Sequence, residues 1–328
     1  MQTIKIALLG FGTVGQGVFQ ILNEKKEEFR NFFGIDVEVV GVLIRDVEKL
    51  RPLPAHLFVT DRFEDIASIP DVDVVFEAIV GEEPAYSYLT YFLERGIHVI
   101  TANKAMFAKH GLSLQKVAEN YDATIGYEAT TAGGVPIIKT LKNLLQVNEV
   151  ENIAGILNGT SNFILSEMRT AKCTFEEALQ NAQDFGYAEA DPTDDVSGKD
   201  AFRKLMILSQ LAFGRQPSWE DVEVRGIQTL TLRDIEEAEE SGMRYRHVAE
   251  VNITGSGNLQ AVVRPLLVGP SHPLYTVDGV DNAIVIDSEY LGKLTLIGPG
   301  AGRFPTGSAM VEDFVQVISS KPKVIIPQ

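Results

Sequence analysis

The chain has 328 residues, 45% hydrophobic and 23% charged, which is enough for two domains with separate cores. Acidic side chains number 45 against 29 basic ones; the net charge of −16 excludes the broad positive face that nucleic acid or an anionic membrane needs. A single cysteine, Cys173, excludes an internal disulfide, no charged leader precedes the first apolar run, and no run of about 18 apolar residues occurs, so a cytoplasmic protein is expected.

Apolar, β-branched runs at 4–9, 37–44, 72–77, 97–100 and 124–127 alternate with helical patterns at 13–29, 85–94 and 109–119. This alternation predicts an α/β domain built on a Rossmann-like, doubly wound parallel sheet. Past residue 150 the rhythm changes. A strand is expected at 150–157 and a helix at 161–168. Thr174 and Glu177 then form a capping box that opens a further helix, which Gly186 closes. A strongly apolar helix carrying Asp200 follows. Strand-like runs come next at 247–253, 259–268, 282–288 and 293–297, separated by Gly, Ser, Asn and Pro. They imply an α+β domain with a mixed or antiparallel sheet. The expected division is a nucleotide-binding domain at 1–150, completed by about 300–328, and a catalytic and dimerisation domain at 151–299.

Gly10-Phe11-Gly12-Thr13-Val14-Gly15 follows the first strand directly and opens a helix, the context a dinucleotide fingerprint requires. Gly10 permits the tight turn, Gly12 leaves room for a pyrophosphate, and Gly15 lets helix and strand approach; the helix amides meet the phosphates. The second strand ends Ile44-Arg45-Asp46. Arg45, where NAD enzymes place a carboxylate for the ribose diol, favours a 2′-phosphate and so NADP(H) over NAD(H). An exposed Arg45–Asp46 surface pair is the other reading. Thr101-Ala102-Asn103-Lys104 follows the fourth run, placing Lys104 in a loop at a strand C-terminus, where ligands bind in such sheets.

The segment 186–204 carries Glu189, Asp191, Asp194, Asp195 and Asp200 and ends at Lys204. Asp200 and Lys204 share a helix face whose surroundings are apolar, so the pair is expected to be desolvated, as a structural ion pair or as catalytic groups. Asp191, Asp194 and Asp195 lack the alternating ligands and closing Glu of a calcium loop, and the five histidines have no ligand spacing.

GFGTVG, TANK, YEATTAGGVPII, NGTSNFIL, GYAEADPTDDVSGKDAFRK and GPGAGRFPTGSA occur in this order, and together they resemble homoserine dehydrogenase from residue 4 to about 318. The resemblance implies reversible NAD(P)H-dependent reduction of L-aspartate 4-semialdehyde to L-homoserine. By matching position it implies Gly159, Thr160, Tyr187, Glu189, Asp195, Asp200 and Lys204 at the amino-acid site, with Lys104 and Lys204 as catalytic lysines. Phe11, Thr13, Val14, Arg45, Lys104 and Gly302 would contact the cofactor. Glu128 and the carbonyls of Thr131, Gly133 and Val135 would hold a sodium ion, and the protein would be a homodimer. Glu189 and Asp195 suit the substrate ammonium, and an ammonium beside the aldehyde suits the developing alkoxide. Lys204 is favoured as proton donor and Asp200 as holder of a relay water, with the reverse assignment of the lysines left open.

Two departures stand out. Ala78 and Ile79 occupy positions after Glu77 where the family usually has Thr or Gly, and a C-terminal regulatory domain is not expected. A related amino-acid oxidoreductase such as aspartate dehydrogenase, or a nicotinamide-binding regulator without turnover, are the competing readings.

Overall fold

A computed structural model describes residues 1–47, 53–54 and 57–319; His56 and the expected terminal segment beyond 319 lie outside them. The elements run β1 (Gln2–Leu9), α1 (Thr13–Glu24), α2 (Lys26–Glu28), β2 (Ile35–Leu43), β3 (Val59–Thr60), α3 (Phe63–Ala67), β4 (Val74–Glu77), α4 (Ala85–Leu93), β5 (His98–Thr101), α5 (Lys104–Asn120) and β6 (Ile125–Gly126). There follow α6 (Ile137–Leu144), β7 (Val150–Ile156), α7 (Gly159–Ala171), α8 (Phe175–Asp184), α9 (Thr193–Val196), α10 (Lys199–Phe213), β8 (Glu223–Val224) and α11 (Leu232–Glu240). Strands β9 (Arg244–Ile253), β10 (Leu259–Val268), β11 (Asp281–Ser288) and β12 (Gly292–Pro299) precede α12 (Arg303–Ile318). They form two compact units, Met1–Gly133 with Gly302–Gln328, and Gly134–Ala301.

The first unit holds a parallel sheet in the order β3-β2-β1-β4-β5-β6. This is the doubly wound order, whose switch point lies between β1 and β4. Ile6, Leu8, Val74, Phe76 and Ile100 form the sheet side of the core. Met310 and Phe314 of α12 close it, Phe314 meeting Phe29 edge to face at 5.7 Å. The close approach of α12 to α1 requires glycine: a Cβ on Gly17 would overlap the Arg303 carbonyl oxygen. The helix expected over 13–29 ends at Glu24, and a π-turn at Phe29–Phe33 leads to β2 through left-handed Gly34.

The second unit holds a mixed sheet in the order β12-β11-β7-β9-β10-β8, antiparallel except for the β8–β10 pair. Ile164, Leu165 and Met168 of α7 pack with Ala178 and Ala182 of α8. The capping box at Thr174 forms as expected, Glu177 N–H donating to the Thr174 hydroxyl. A second one, Thr231 with Asp234, opens α11. Ile253, Leu267 and Ile297 remain exposed on β9, β10 and β12. Among the described residues no helix is long and apolar enough to cross a membrane.

Candidate functional site

In the first unit the glycine loop joins β1 to α1. Gly10 has φ +101°, and a Cβ there would come 2.7 Å from the Ala78 carbonyl oxygen. A Cβ on Gly15 would overlap the Gly10 oxygen, whereas one on Gly12 meets nothing within 4 Å. Gly12 thus caps α1 beside open space, and no side chain caps the helix, leaving amides at its start suited to phosphate. Thr13 is exposed and Val14 half-buried. The Phe11 side chain points into the core, edge-on to Phe19, so any ligand contact at Phe11 falls to its backbone. Arg45 is exposed just past the end of β2. Gly302, at φ +124°, caps α12 without a side-chain partner.

Lys104 does not lie in a loop. It is the first residue of α5, whose cap is Asn103, with Oδ1 accepting from the Met106 N–H at 3.1 Å. Asn103 Nδ2 is fixed by the Gly81 carbonyl at 2.7 Å and, at longer range, by Glu77, a residue without a role in the sequence reading. Fully buried at the end of β4, Glu77 accepts from Thr101 Oγ1 at 2.5 Å, Ile79 N–H at 2.6 Å and Asn103 Nδ2 at 3.4 Å. Burial pushes its carboxyl up to about 7, against the opposing pull of these hydrogen bonds.

Glu128, Thr130 and Thr131 are buried, and left-handed Ala132 and Gly133 turn the chain just after them. A buried carboxylate beside a run of irregular carbonyls suits a hard monovalent cation better than a transition metal. Among the described residues, no group of three or more His, Cys, Asp or Glu could hold a metal. Val135 lies in the second unit, its carbonyl accepting from Ile137 N–H at 2.8 Å.

In the second unit the acidic segment separates into distinct environments. Asp191 is spent locally on the Thr193 hydroxyl and N–H. Asp194 pairs with Arg203, and Glu189 is exposed. Asp200 and Lys204 are buried, at 2% and 7% exposure, and form the expected pair at 2.8 Å. Lys204 Nζ also donates to the Leu157 carbonyl at 2.7 Å, which Asn282 Nδ2 meets at 3.0 Å. Asp195, half-buried, and Asp200 both accept from Asn158 Nδ2, at 2.7 and 2.9 Å. Asn158 is the N-cap of α7, with Gly159 and Thr160 its first two residues. A Cβ on Gly159 would sit 2.5 Å from the Val280 oxygen, which accounts for the glycine. Thr160 Oγ1 donates to the Tyr187 carbonyl at 2.7 Å, while the Tyr187 ring stays exposed near Phe163 and Phe185.

The structure therefore gathers Thr160, Tyr187, Asp195, Asp200 and Lys204 around one helix start. Behind them lies His247, one of the five histidines without ligand spacing. Its Nε2 faces the Arg225 carbonyl at 2.9 Å and its Nδ1 the Ser161 hydroxyl at 3.4 Å. Burial holds its pKa below the usual value, so the neutral Nε2–H tautomer fits. The sequence reading gave Asn158 no role; an Asn ahead of an apolar helical run is the cap signal that could have found it, but its bridge to two acids has no signature in sequence.

The segment 136–315 matches the family model for homoserine dehydrogenase, and 10–128 matches that for the homoserine dehydrogenase NAD-binding domain. A homoserine dehydrogenase of Neisseria gonorrhoeae is 41% identical over 318 residues, covering 97% of this chain and 73% of that protein. A solved homoserine dehydrogenase from Thiobacillus denitrificans superposes with TM-score 0.92 at 40% identity, over 97% of this chain and 74% of that one. A hyperthermophilic archaeal homoserine dehydrogenase in complex with NADPH gives TM-score 0.82 at 28% identity, over 99% of this chain and 100% of that one. Neither competing reading, aspartate dehydrogenase or a regulator without turnover, is favoured by these likenesses.

Proposed function

Because the chain belongs to the homoserine dehydrogenase family, NAD(P)-dependent oxidoreductases acting on a CH–OH group, we propose that it uses Lys204 as the proton donor in reducing L-aspartate 4-semialdehyde to L-homoserine. The observation that carries this reading is the Lys204 ammonium, buried and oriented by Asp200 and the Leu157 carbonyl. The nicotinamide supplies the hydride when bound. Hydride arrival at the aldehyde carbon places negative charge on oxygen, and an oriented ammonium both stabilises and protonates it. Asp200 fixes the Lys204 rotamer, and holds a relay water where one is used. Asp195 and Glu189 receive the substrate ammonium, and Gly159, Thr160 and Tyr187 line the same helix start. Lys104, at the first turn of α5, polarises the carbonyl and contacts the cofactor.

The cofactor reading is NADP(H) in preference to NAD(H). The preference is supported by Arg45 past the end of β2, and dinucleotide binding itself by the uncapped start of α1 and the open space at Gly12. Phe11, Thr13, Val14 and Gly302 complete the cofactor set. Glu128 with the carbonyls of Thr131, Gly133 and Val135 would hold a sodium ion that anchors the turn after β6. A homodimer through the second unit is supported by exposed Ile253, Leu267 and Ile297 on its sheet, and the compartment proposed is the cytoplasm, in keeping with one free thiol. The test is oxidation of NADPH, followed optically, with L-aspartate 4-semialdehyde, and its repetition with NADH. Turnover with a lower KM for NADPH is expected; equal kcat/KM with NADH would remove the role given to Arg45, and no turnover with either would overturn the reading.

A further inference from the structure

One residue joins both halves of the acidic constellation. The Asn158 amide is oriented without ambiguity: its Oδ1 accepts from the Ser161 N–H at 2.7 Å, so its NH2 faces the carboxylates. The two hydrogens of that NH2 are divided, one to Asp195 Oδ1 at 2.7 Å and one to Asp200 Oδ2 at 2.9 Å. Asp200 Oδ2 is also the oxygen that Lys204 meets at 2.8 Å. A trigonal NH2 donating to two oxygens at these lengths sets them roughly 5 Å apart. Two carboxylates at that spacing repel, and nothing covalent fixes their separation, since they stand on α9 and α10. The amide, buried at 4% exposure, is a neutral donor to both.

We infer that Asn158 is a positioning residue that fixes the spacing of Asp195 and Asp200 and, through Asp200, the orientation of the Lys204 ammonium. This rests on the roles proposed above for Asp195, Asp200 and Lys204. Asn158 has two separable duties. As a cap it needs only an acceptor; as a spacer it needs two donors. Serine and aspartate retain a cap acceptor and cannot supply the pair of donors. Without the spacer Asp195 loses the donor that sets its distance from Asp200, which raises KM for the amino-acid aldehyde. Asp200 loses a donor on the oxygen that meets Lys204, and Lys204 is misdirected, which lowers kcat. A misplacement of about 1 Å at such a site costs about a hundredfold in rate.

The experiment compares Asn158→Ser and Asn158→Asp with the unaltered protein in kcat, KM for L-aspartate 4-semialdehyde, NADPH affinity by fluorescence titration, and Tm. The expected result for Asn158→Ser is a Tm close to that of the unaltered protein, unchanged NADPH affinity, KM raised about tenfold or more and kcat lowered about a hundredfold. Asn158→Asp, which adds a third carboxylate to the pair, loses more in both. Wild-type kinetics in Asn158→Ser would overturn the inference, as would losses that track a fall in Tm and vanish at lower assay temperature. Asp195→Asn and Asp200→Asn serve as controls. If they too leave kinetics unaltered, the proposed site fails; if they lose activity while Asn158→Ser does not, only the role of Asn158 fails.

Discussion

Glu77 offers a measurable consequence of burial. Its carboxyl is wholly enclosed at the end of β4 and titrates at about 7 in the folded chain against an ordinary 4.5. Below about pH 4.5 the group is protonated both folded and unfolded, and the folded state carries no penalty. As pH rises the unfolded chain releases the proton first, so stability falls, and the loss is complete once the folded carboxyl ionises above about 7. At about 1.4 kcal/mol per pH unit, the displacement from 4.5 to about 7 amounts to about 3 kcal/mol. Glutamine at this position accepts from Ile79 N–H and Asn103 Nδ2 and donates to Thr101 Oγ1, as the protonated acid does, but never ionises. Urea unfolding of the unaltered protein and Glu77→Gln from about pH 5 to about pH 8 should therefore diverge, the variant gaining most of that 3 kcal/mol in relative stability at the alkaline end. Parallel stability profiles would refute the argument, because they would mean that Glu77 titrates alike in both states.

The remaining predictions concern the cofactor loop and the lysines. Gly15→Ala drives a methyl into the Gly10 carbonyl and should destabilise the chain by about 1–3 kcal/mol, while Gly12→Ala should leave Tm unchanged and weaken NADPH binding; melting curves and fluorescence titration separate the two. Lys204→Ala should lower kcat by about 10²- to 10⁴-fold with NADPH affinity retained, and an unchanged turnover number would remove Lys204 from the proton step. Arg45→Ala should raise KM for NADPH and leave KM for NADH in place, which steady-state rates with each cofactor will show.

All strands of the parallel sheet but the two-residue β3 were readable because they form largely buried, β-branched runs, with glycine at the loop after β1 where backbone approaches backbone. The start of α5 was not. With 101–104 read as a loop at a strand end, the expected helix began only at 109, whereas Asn103 caps a helix that begins at Lys104. Helix α11 went unread because it buries little beyond Ile235 and Ala238, too few positions for a periodic signal. For the site, residue types and order were legible, and the partners were not. Asn158 reaches acids 37 and 42 positions away, and Lys204 reaches a carbonyl 47 positions away. Such contacts follow from topology, and no local period encodes them.

The helix starts themselves sort the site by charge. Asparagine caps α5 and α7, consuming a backbone donor at each, and threonine does the same at α8 and α11. Glycine caps α1, α10 and α12, where no side chain takes that donor. The positive end of a helix favours an anion there. At α10 the chain provides one, Asp200 in the first turn, and at α1 it provides none, which leaves that end to a phosphate. Lys104 runs against the same rule, a cation at the positive end of α5, at a cost of about 0.3–1 kcal/mol. The helix dipole does not select a lysine at that position. A cation set against that dipole, on a helix start held by an asparagine cap, agrees with the ligand role proposed for Lys104.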